Sequence, residues 1–207
     1  MRVNQLKKWK LRDVILLSIL GVLFAAAYLA VFDVGLVLSA LLTPSGLSTF
    51  AFELIYGIWF MAAVVAAYII RKPGVALIAE LLASAVELLM GNSGGAVLLV
   101  TGIIQGLGAE LGFAVFRYKK YNLLSMSLSG IFAALFIYVY ELFYLQNYLL
   151  APGLLTAKLV VRIVSAVVFS GLTAKAACDG LARTGVLKNY GLGLARQDID
   201  LEEEEEL

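Results

Sequence analysis

The sequence contains no histidine and only one cysteine, Cys178. Without histidine the common zinc and haem ligand sets are missing, and a single cysteine excludes an intrachain disulfide. The sequence also has no Ser-His-Asp set, phosphate-binding loop or metal-ligand cluster, so nothing in it predicts catalysis or ATP hydrolysis. We therefore expect a protein that is not an enzyme and that uses no metal and no cofactor.

Charge is scarce, whereas apolar residues are in excess. Charged residues make up 15% of the chain and hydrophobic residues 62%, against about 25% and roughly 45–50% in an ordinary soluble domain. The net charge of +1 gives no indication of a nucleic-acid partner, and we expect none. The apolar excess predicts an integral membrane protein surrounded by the lipid bilayer.

The apolar residues fall into long runs, and about 20 residues are needed for a helix to cross the hydrocarbon layer. Breakers such as Thr43-Pro44 and Pro73-Gly74 separate the runs and predict turns. The first run, which Asp33 ends, has no cleavage signature behind it and predicts a retained helix. The sequence thus predicts an all-α, polytopic bundle of six transmembrane helices, at about 14–32, 47–70, 75–90, 96–116, 122–143 and 154–177.

Basic residues are confined to alternate connections between these runs. Lysine or arginine occurs in the N-terminal segment, in the turns at 71–74 and 117–120 and after residue 182, whereas the other three connections contain none. Since cytoplasmic loops are enriched in basic residues, both ends are predicted to face the cytoplasm, N-in and C-in. We predict a membrane domain over residues 1–182 and a cytoplasmic C-terminal segment over 183–207, with an acidic tail at 202–206.

Ionisable groups inside a membrane cost on the order of 3 kcal/mol each and are therefore candidates for function. Counting depth at about 1.5 Å per residue places Glu53, Glu87 and Glu141 near the outer face and Gln105 near the middle. We predict an outward-opening pocket with polar and aromatic walls, suited to a small planar polar molecule. Further candidates at the outer level are Tyr56, Trp59, Asn92, Tyr140, Tyr144, Lys158 and Arg162.

Simpler interpretations of single residues stay open at this point. Tyrosine and tryptophan are common at membrane surfaces, and Tyr56 considered alone fits that role. Glu53 or Glu141 could pair with Lys158 or Arg162 only to neutralise a buried charge, which would be structural ion pairing.

Two other groups of residues suggest structural or partner contacts. Glu80 and Glu110 lie only about 10 Å from the inner face, where structural pairing or contact with a partner is the favoured interpretation. Gly21 and Ala25 are four residues apart on the first helix, a spacing that permits close contact between helices.

Several motifs resemble a known family, the substrate-binding S components of energy-coupling factor vitamin transporters, of the type associated with thiamine and its hydroxymethylpyrimidine precursor. The motifs extend from the second helix to just past the sixth. The specific ones are the glutamine-glycine-leucine-glycine-alanine-glutamate string and the arginine-lysine-proline-glycine turn. They are Tyr56-Gly57-Ile58-Trp59-Phe60, Ile70-Arg71-Lys72-Pro73-Gly74, Glu80, Glu87, Gly91-Asn92, Gln105-Gly106-Leu107-Gly108-Ala109-Glu110 and Thr184-Gly185-Val186-Leu187.

This resemblance implies a six-helix bundle in the bacterial plasma membrane that captures thiamine or hydroxymethylpyrimidine from outside. It also implies two partners, a transmembrane coupling (T) protein and a cytoplasmic ATPase pair. In family terms the stripe of Gly21 and Ala25 would be the docking face for the coupling protein.

From depth and residue type we assign hypothetical roles in substrate binding. Glu87 and Asn92 would pair with the pyrimidine edge, and Arg162 would hold the Glu53 carboxylate in place. The remaining predicted contacts are Tyr56, Trp59, Tyr140 and Tyr144 for stacking, and Gln105 and Glu141 as polar groups.

Two other functions compete with this hypothesis. A self-sufficient secondary transporter could use the buried glutamates as a proton relay for a small polar solute. A membrane-embedded enzyme is disfavoured because the chain has no nucleophile and base set.

Overall fold

The computed structural model describes residues 8–197, and the predicted acidic tail lies outside them. Residues 8–197 are helical and contain no strand. Their architecture consists of six long helices joined by short connections. These helices are α1 (Leu11–Leu42), α2 (Ser48–Ile70), α3 (Val75–Leu89), α4 (Val97–Ala114), α5 (Leu123–Tyr144) and α6 (Pro152–Arg183).

Five of the six helices are long and apolar enough to cross a membrane, which agrees with the predicted polytopic, all-α class. The exception is α3, whose 15 residues span about 22 Å. Helix α1 continues through Asp33 to Leu42, so the predicted end of this helix at Asp33 is wrong. The exposed Asp33 carboxylate interrupts the apolar run without interrupting the backbone hydrogen bonds. The predicted domain division at residue 183 stays a prediction.

Close packing of α4 on α5 depends on two glycines. A β-carbon on Gly108 would lie 2.6 Å from the carbonyl oxygen of Phe132, and one on Gly112 would lie 2.3 Å from the Cα of Ser129. Ser129 also donates a hydrogen bond from Oγ to the Ala109 carbonyl, at 2.7 Å. Any side chain at either glycine would therefore push the two helices apart.

Gly21 and Ala25 lie where α1 packs on α3. A β-carbon on Gly21 would lie 3.3 Å from the Cβ of Leu82, and Ala25 is fully buried. Their spacing thus supports a contact between helices of this chain. Neither residue offers a surface to a partner in this structure, in contrast to the docking face expected from the family resemblance.

Helix α2 is distorted in its middle, where residues Tyr56–Phe60 form a 3₁₀ turn. Such a turn leaves some backbone N–H groups without their usual helical acceptors. Neighbouring helices supply the missing acceptors: Ala62 N donates to Tyr28 Oη at 3.0 Å, and Ala63 N donates to Glu80 Oε2 at 3.1 Å. The distortion is therefore held by side chains of α1 and α3.

Helix α6 holds the same distortion from the other side. Gly57 N donates to Ser165 Oγ at 2.9 Å, and that hydroxyl donates to the Leu54 carbonyl at 2.9 Å. A β-carbon on Gly57 would lie 2.2 Å from the Ser165 carbonyl oxygen, so only glycine permits this approach. Immediately after this contact, residues Val167–Thr173 of α6 form a π-helical segment.

The turn between α2 and α3 is anchored to the start of the described chain, and the end of that chain contacts the start in turn. Lys72 is buried, forms a salt bridge with Asp13 and donates to the Lys8 carbonyl at 2.7 Å. Asp13 in turn accepts from Lys10 N at 2.8 Å and caps α1. From the other end, the Tyr190 hydroxyl donates to the carbonyl of residue 12 at 3.3 Å. This end of the bundle carries the basic connections.

Candidate functional site

A cavity of about 410 Å³ lies between the six helices. Its lining includes Ser48, Gly94 and Asn147, which belong to the start of α2 and to two connections. The cavity is therefore at the end of the bundle whose connections carry no lysine or arginine, opposite the turn at 71–74. Helix α1 contributes Phe32 to the lining and helix α4 contributes Gln105.

Helix α3 presents a polar wall to the cavity. Glu80, Ser84 and Glu87 all line it, because residues separated by four and three positions share one face of a helix. Just beyond α3, Asn92 Nδ2 donates to Glu87 Oε1 at 2.7 Å, and Asn92 Oδ1 accepts from Gly94 N at 2.8 Å. These contacts fix Asn92 beside the Glu87 carboxylate and form a paired carboxylate and amide.

Glu80 lies deeper on the same wall and is almost completely buried. Its Oε2 accepts from the Tyr28 hydroxyl at 3.2 Å and from Ala63 N at 3.1 Å. Within residues 8–197 neither Glu80 nor Glu87 forms a salt bridge. The α3 wall therefore offers carboxylates without a cationic partner in the described part of the chain.

Helix α2 presents an aromatic wall. Tyr56, Trp59 and Phe52 all line the cavity. The ring centroids of Tyr56 and Trp59 are 5.6 Å apart, and those of Phe52 and Trp59 are 6.2 Å apart. The 3₁₀ turn sets the orientation of the first two rings, since it includes both residues. The three rings form a surface on which a flat ligand can stack.

Four charged side chains, Glu53, Glu141, Lys158 and Arg162, form a charge cluster that lines the cavity. Arg162 Nε lies 2.6 Å from Glu53 Oε2 and Arg162 Nη2 lies 3.0 Å from Glu53 Oε1, a bidentate pair. Arg162 Nη2 is also 2.6 Å from Glu141 Oε2, and Lys158 Nζ is 3.4 Å from Glu53 Oε1. The cluster connects α2, α5 and α6.

The charge cluster also positions the aromatic wall. The Tyr56 hydroxyl donates to Glu141 Oε1 at 2.5 Å, and the Arg162 guanidinium carbon lies 3.8 Å from the centroid of the Tyr56 ring. Tyr56 is therefore held at both its hydroxyl and its face. This position differs from that of a free interfacial tyrosine.

Three comparisons with known proteins identify the family. The family model described as "ABC-type cobalt transport system, permease component" matches residues 12–136. A protein of Bacillus subtilis (strain 168), YkoE, whose name describes an HMP/thiamine permease, is 42% identical over 188 residues, covering 91% of this chain and 92% of that protein. A solved structure titled "Crystal structure of an S-component of ECF transporter" superimposes with a TM-score of 0.89 at 39% identity, covering 97% of this chain and 99% of that one.

This chain belongs to the S components of energy-coupling factor transporters. The resemblance seen in the sequence motifs is thereby confirmed, as is the expectation of a multi-pass protein of the cell membrane. The family relationship also indicates a role in transport rather than catalysis.

Most of the residues predicted to contact the substrate lie around the cavity of this S component. Six of the eight predicted substrate-binding residues line the cavity, and two do not. The two exceptions, Tyr140 and Tyr144, stack on each other with centroids 5.2 Å apart, and Tyr144 is exposed. The six that line it are Tyr56, Trp59, Glu87, Asn92, Gln105 and Glu141.

Some lining residues were absent from the sequence-based site. Ser84 lies between Glu80 and Glu87 on the α3 face, and Thr101 lies one turn before Gln105 on α4. Ser84 is three residues from Glu87 and Thr101 is four from Gln105, so helical spacing from a predicted member could have identified both. Glu80 itself was expected to be an inner-side structural group, yet it lines the cavity as well as holding the α2 distortion.

Glu110 has a structural function in this S component. Its carboxylate accepts from the backbone N–H groups of Gly74, Ala76 and Leu77 at 2.6, 2.9 and 3.4 Å. These groups belong to the first turn of α3 and the residue before it, where helical N–H groups have no partner within the helix. Glu110 therefore caps α3 from α4, away from the cavity.

The donor set of the site suits an organic ligand. No group of three or more histidine, cysteine, aspartate or glutamate side chains in residues 8–197 is arranged to hold a metal ion. The cavity instead combines stacked rings, carboxylates and amides around one space. Such walls can bind a flat heterocycle by stacking on its faces and hydrogen bonding at its edges.

Proposed function

We propose that this S component binds thiamine or its hydroxymethylpyrimidine precursor in the cavity, from the outer side of the membrane. The observation that carries the proposal is the cavity, where the aromatic wall of α2 and the carboxylate wall of α3 border one space of about 410 Å³. That volume is within the roughly 300–1,000 Å³ of small-molecule sites. The Bacillus subtilis relative, whose name describes an HMP/thiamine permease, supports the choice of ligand.

The two walls suit an aminopyrimidine, which can be bound by stacking on its ring and by hydrogen bonds at its edge. Its ring is flat and stacks on Tyr56 and Trp59, whereas its edge carries an amino donor and ring-nitrogen acceptors. The Glu87 carboxylate accepts a hydrogen bond from the amino group, and the Asn92 amide beside it hydrogen-bonds the neighbouring part of the ring edge. Gln105 on α4 supplies a further amide. In thiamine the thiazolium cation is attracted by carboxylates and aromatic faces.

The proposed topology has six membrane crossings with both ends in the cytoplasm. Helix α3 is the shortest crossing, and Glu110 caps its start beside the basic turn at 71–74. The basic residues of the described connections support this orientation. It places the cavity end of the bundle outside the cell, where the substrate is captured.

Delivery of the substrate requires partners. Nothing in the sequence resembles a nucleotide-binding motif, so transport driven by ATP would need other subunits. We propose that a transmembrane coupling protein and a cytoplasmic ATPase pair supply it, as the membership in this family supports. Gly21 and Ala25 are buried within this chain, so we do not assign the surface that contacts the coupling protein to them.

Binding by the purified full chain in lipid nanodiscs tests the proposed substrate. We expect stoichiometric binding of thiamine or hydroxymethylpyrimidine by calorimetry without ATP, accompanied by quenching of Trp59 fluorescence. Glu87→Gln should weaken binding at least tenfold, about 1.4 kcal/mol, while the protein stays folded. Asp33→Asn is the matched control, since Asp33 is an exposed carboxylate outside the cavity lining. Absence of binding of both ligands by the wild type would contradict the assignment.

Reconstitution distinguishes the S component from a self-sufficient secondary transporter. We expect no accumulation of labelled thiamine in liposomes that contain this chain alone, with or without a proton gradient. Accumulation should require the coupling protein, the ATPase pair and ATP. Uptake driven by a proton gradient through the chain alone would favour the secondary transporter instead.

A further inference from the structure

We infer that the charge cluster makes the cavity select against phosphate esters of its substrate, because Glu53 and Glu141 already neutralise the two cations that a phosphate group would need. This inference rests on the proposed function and concerns its specificity. Thiamine and hydroxymethylpyrimidine each carry a primary hydroxyl, so each has a phosphate ester that differs from it mainly in charge.

The described lining contains two basic side chains, Lys158 and Arg162, and both contact carboxylates. Arg162 uses Nε and Nη2 on Glu53 and Nη2 also on Glu141. Lys158 lies 3.4 Å from the same Glu53. Two cations are thus matched by two carboxylates, and the cluster presents no net positive charge to a ligand.

The remaining charges of the cavity do not favour a phosphate either. Glu80 and Glu87 line the opposite wall without a salt bridge in residues 8–197, and a phosphate would approach them as a like charge. The polar partners of these two carboxylates are Tyr28, the Ala63 amide and Asn92, none of which carries a positive charge.

A phosphate monoester requires cationic donors to leave water. Sites that bind it usually provide arginine in a bidentate arrangement, lysine or a helix N-terminus. Here the Nε–Nη2 edge of Arg162 is already used by Glu53, and Nη1, which has no hydrogen-bond partner among the described residues, is buried. A phosphate would therefore have to displace a buried carboxylate to form a bidentate pair with this edge. That exchange leaves a buried charge without its partner, which is strongly unfavourable. The uncharged hydroxyl of the free alcohol needs no cationic donor.

The experiment compares each alcohol with its own phosphate ester on the full chain in nanodiscs. Titration calorimetry gives the affinities of thiamine, thiamine monophosphate, hydroxymethylpyrimidine and hydroxymethylpyrimidine phosphate. For the wild type we expect the alcohol to bind about a hundredfold more tightly than the ester, a difference of about 2.7 kcal/mol, since the phosphate would meet like charges while both cations of the lining are already paired. Equal affinity for alcohol and ester would overturn the inference.

Two variants distinguish the effect of the charge cluster on the affinity ratio from the effect of the overall charge of the cavity. Glu141→Gln keeps an acceptor for the Tyr56 hydroxyl but removes one of the two carboxylates that neutralise the cluster. Arg162 and Lys158 then share the Glu53 carboxylate alone, so the ratio of alcohol to ester affinity should fall at least tenfold. Glu80→Gln removes one like charge from the opposite wall but touches neither cation, so its ratio should fall by no more than about threefold. An equal fall in both variants would overturn the assignment to the cluster.

A further variant guards against poor folding of Glu141→Gln. Glu53→Gln removes the carboxylate beside Lys158 and beside Arg162 Nε, while Arg162 Nη2 keeps Glu141, and it should lower the same ratio. If the wild type binds neither alcohol, the proposed function fails and the inference falls with it. If the wild type binds both alcohol and ester alike, the proposed function stands and only the inference fails.

Discussion

The contact between α2 and α6 at Gly57 allows a sharp test of how the aromatic wall is built. In Gly57→Ala the new β-carbon would lie 2.2 Å from the Ser165 carbonyl oxygen and 2.8 Å from the Cα of Ala166. Both neighbours are backbone atoms, which cannot rotate away. Ordinary contacts begin near 3.4 Å, so the helices must separate by about 1 Å.

The expected magnitude follows from this displacement. Overpacking of a closely packed contact costs about 1–3 kcal/mol, which corresponds to a melting temperature lowered by about 2–12 °C for a chain of this length. Tyr56 and Trp59 flank the substituted residue, so thiamine affinity should fall together with stability. Thermal unfolding in detergent and calorimetry with thiamine measure the two effects.

Gly180→Ala is the matched control for this substitution. Gly180 also lies in a helix, but apart from its own helix backbone and its chain neighbours nothing lies within 4 Å of the position of its β-carbon. Alanine is preferred to glycine in a helix by about 1 kcal/mol, so this variant should keep or raise the melting temperature and should bind thiamine normally. If Gly57→Ala melts and binds like Gly180→Ala, the close approach does not support the aromatic wall.

Three further predictions concern parts of the bundle outside the cavity. Glu110→Gln weakens the cap of α3 and should lower the melting temperature by the equivalent of about 1–3 kcal/mol, with thiamine affinity unchanged. Lys72→Met leaves the buried Asp13 carboxylate unpaired and should cost about 3–5 kcal/mol in an unfolding titration; adding Asp13→Asn should recover most of that loss, and no recovery would argue against the pair. Cys178, which is 1% exposed, should react with a maleimide only as the protein unfolds, and rapid labelling of the native protein would contradict its burial.

The sequence predicted the helices well because apolar runs and basic turns are local features. The predicted third span, 75–90, and the helix Val75–Leu89 differ by one residue at one end. The first helix was predicted poorly, because a charged residue ends a hydrophobic run whereas a helix ends only where its hydrogen bonds end. Asp33 ends the hydrophobic run, but the helix continues to Leu42.

The distortions of α2 and α6 could not be predicted from either helix alone. Gly57 and Ser165 contact each other across 108 positions of sequence, and the turn exists because the hydroxyl replaces a helical partner. The phase of α5 was uncertain for a related reason. Neighbouring residues in a helix differ by about 100°, so Glu141 reaches the cavity while Tyr140 lies to one side.

The bidentate pair of Glu53 and Arg162 has a consequence for how the protein is made. The two residues are 109 positions apart, and ribosomes add about 5–20 residues per second. Glu53 is therefore synthesised roughly 5–20 s before its partner. Until then α2 carries an acidic group without its cation, and truncated chains that end before α6 should integrate α2 less completely. The last helix thus completes the insertion of the second.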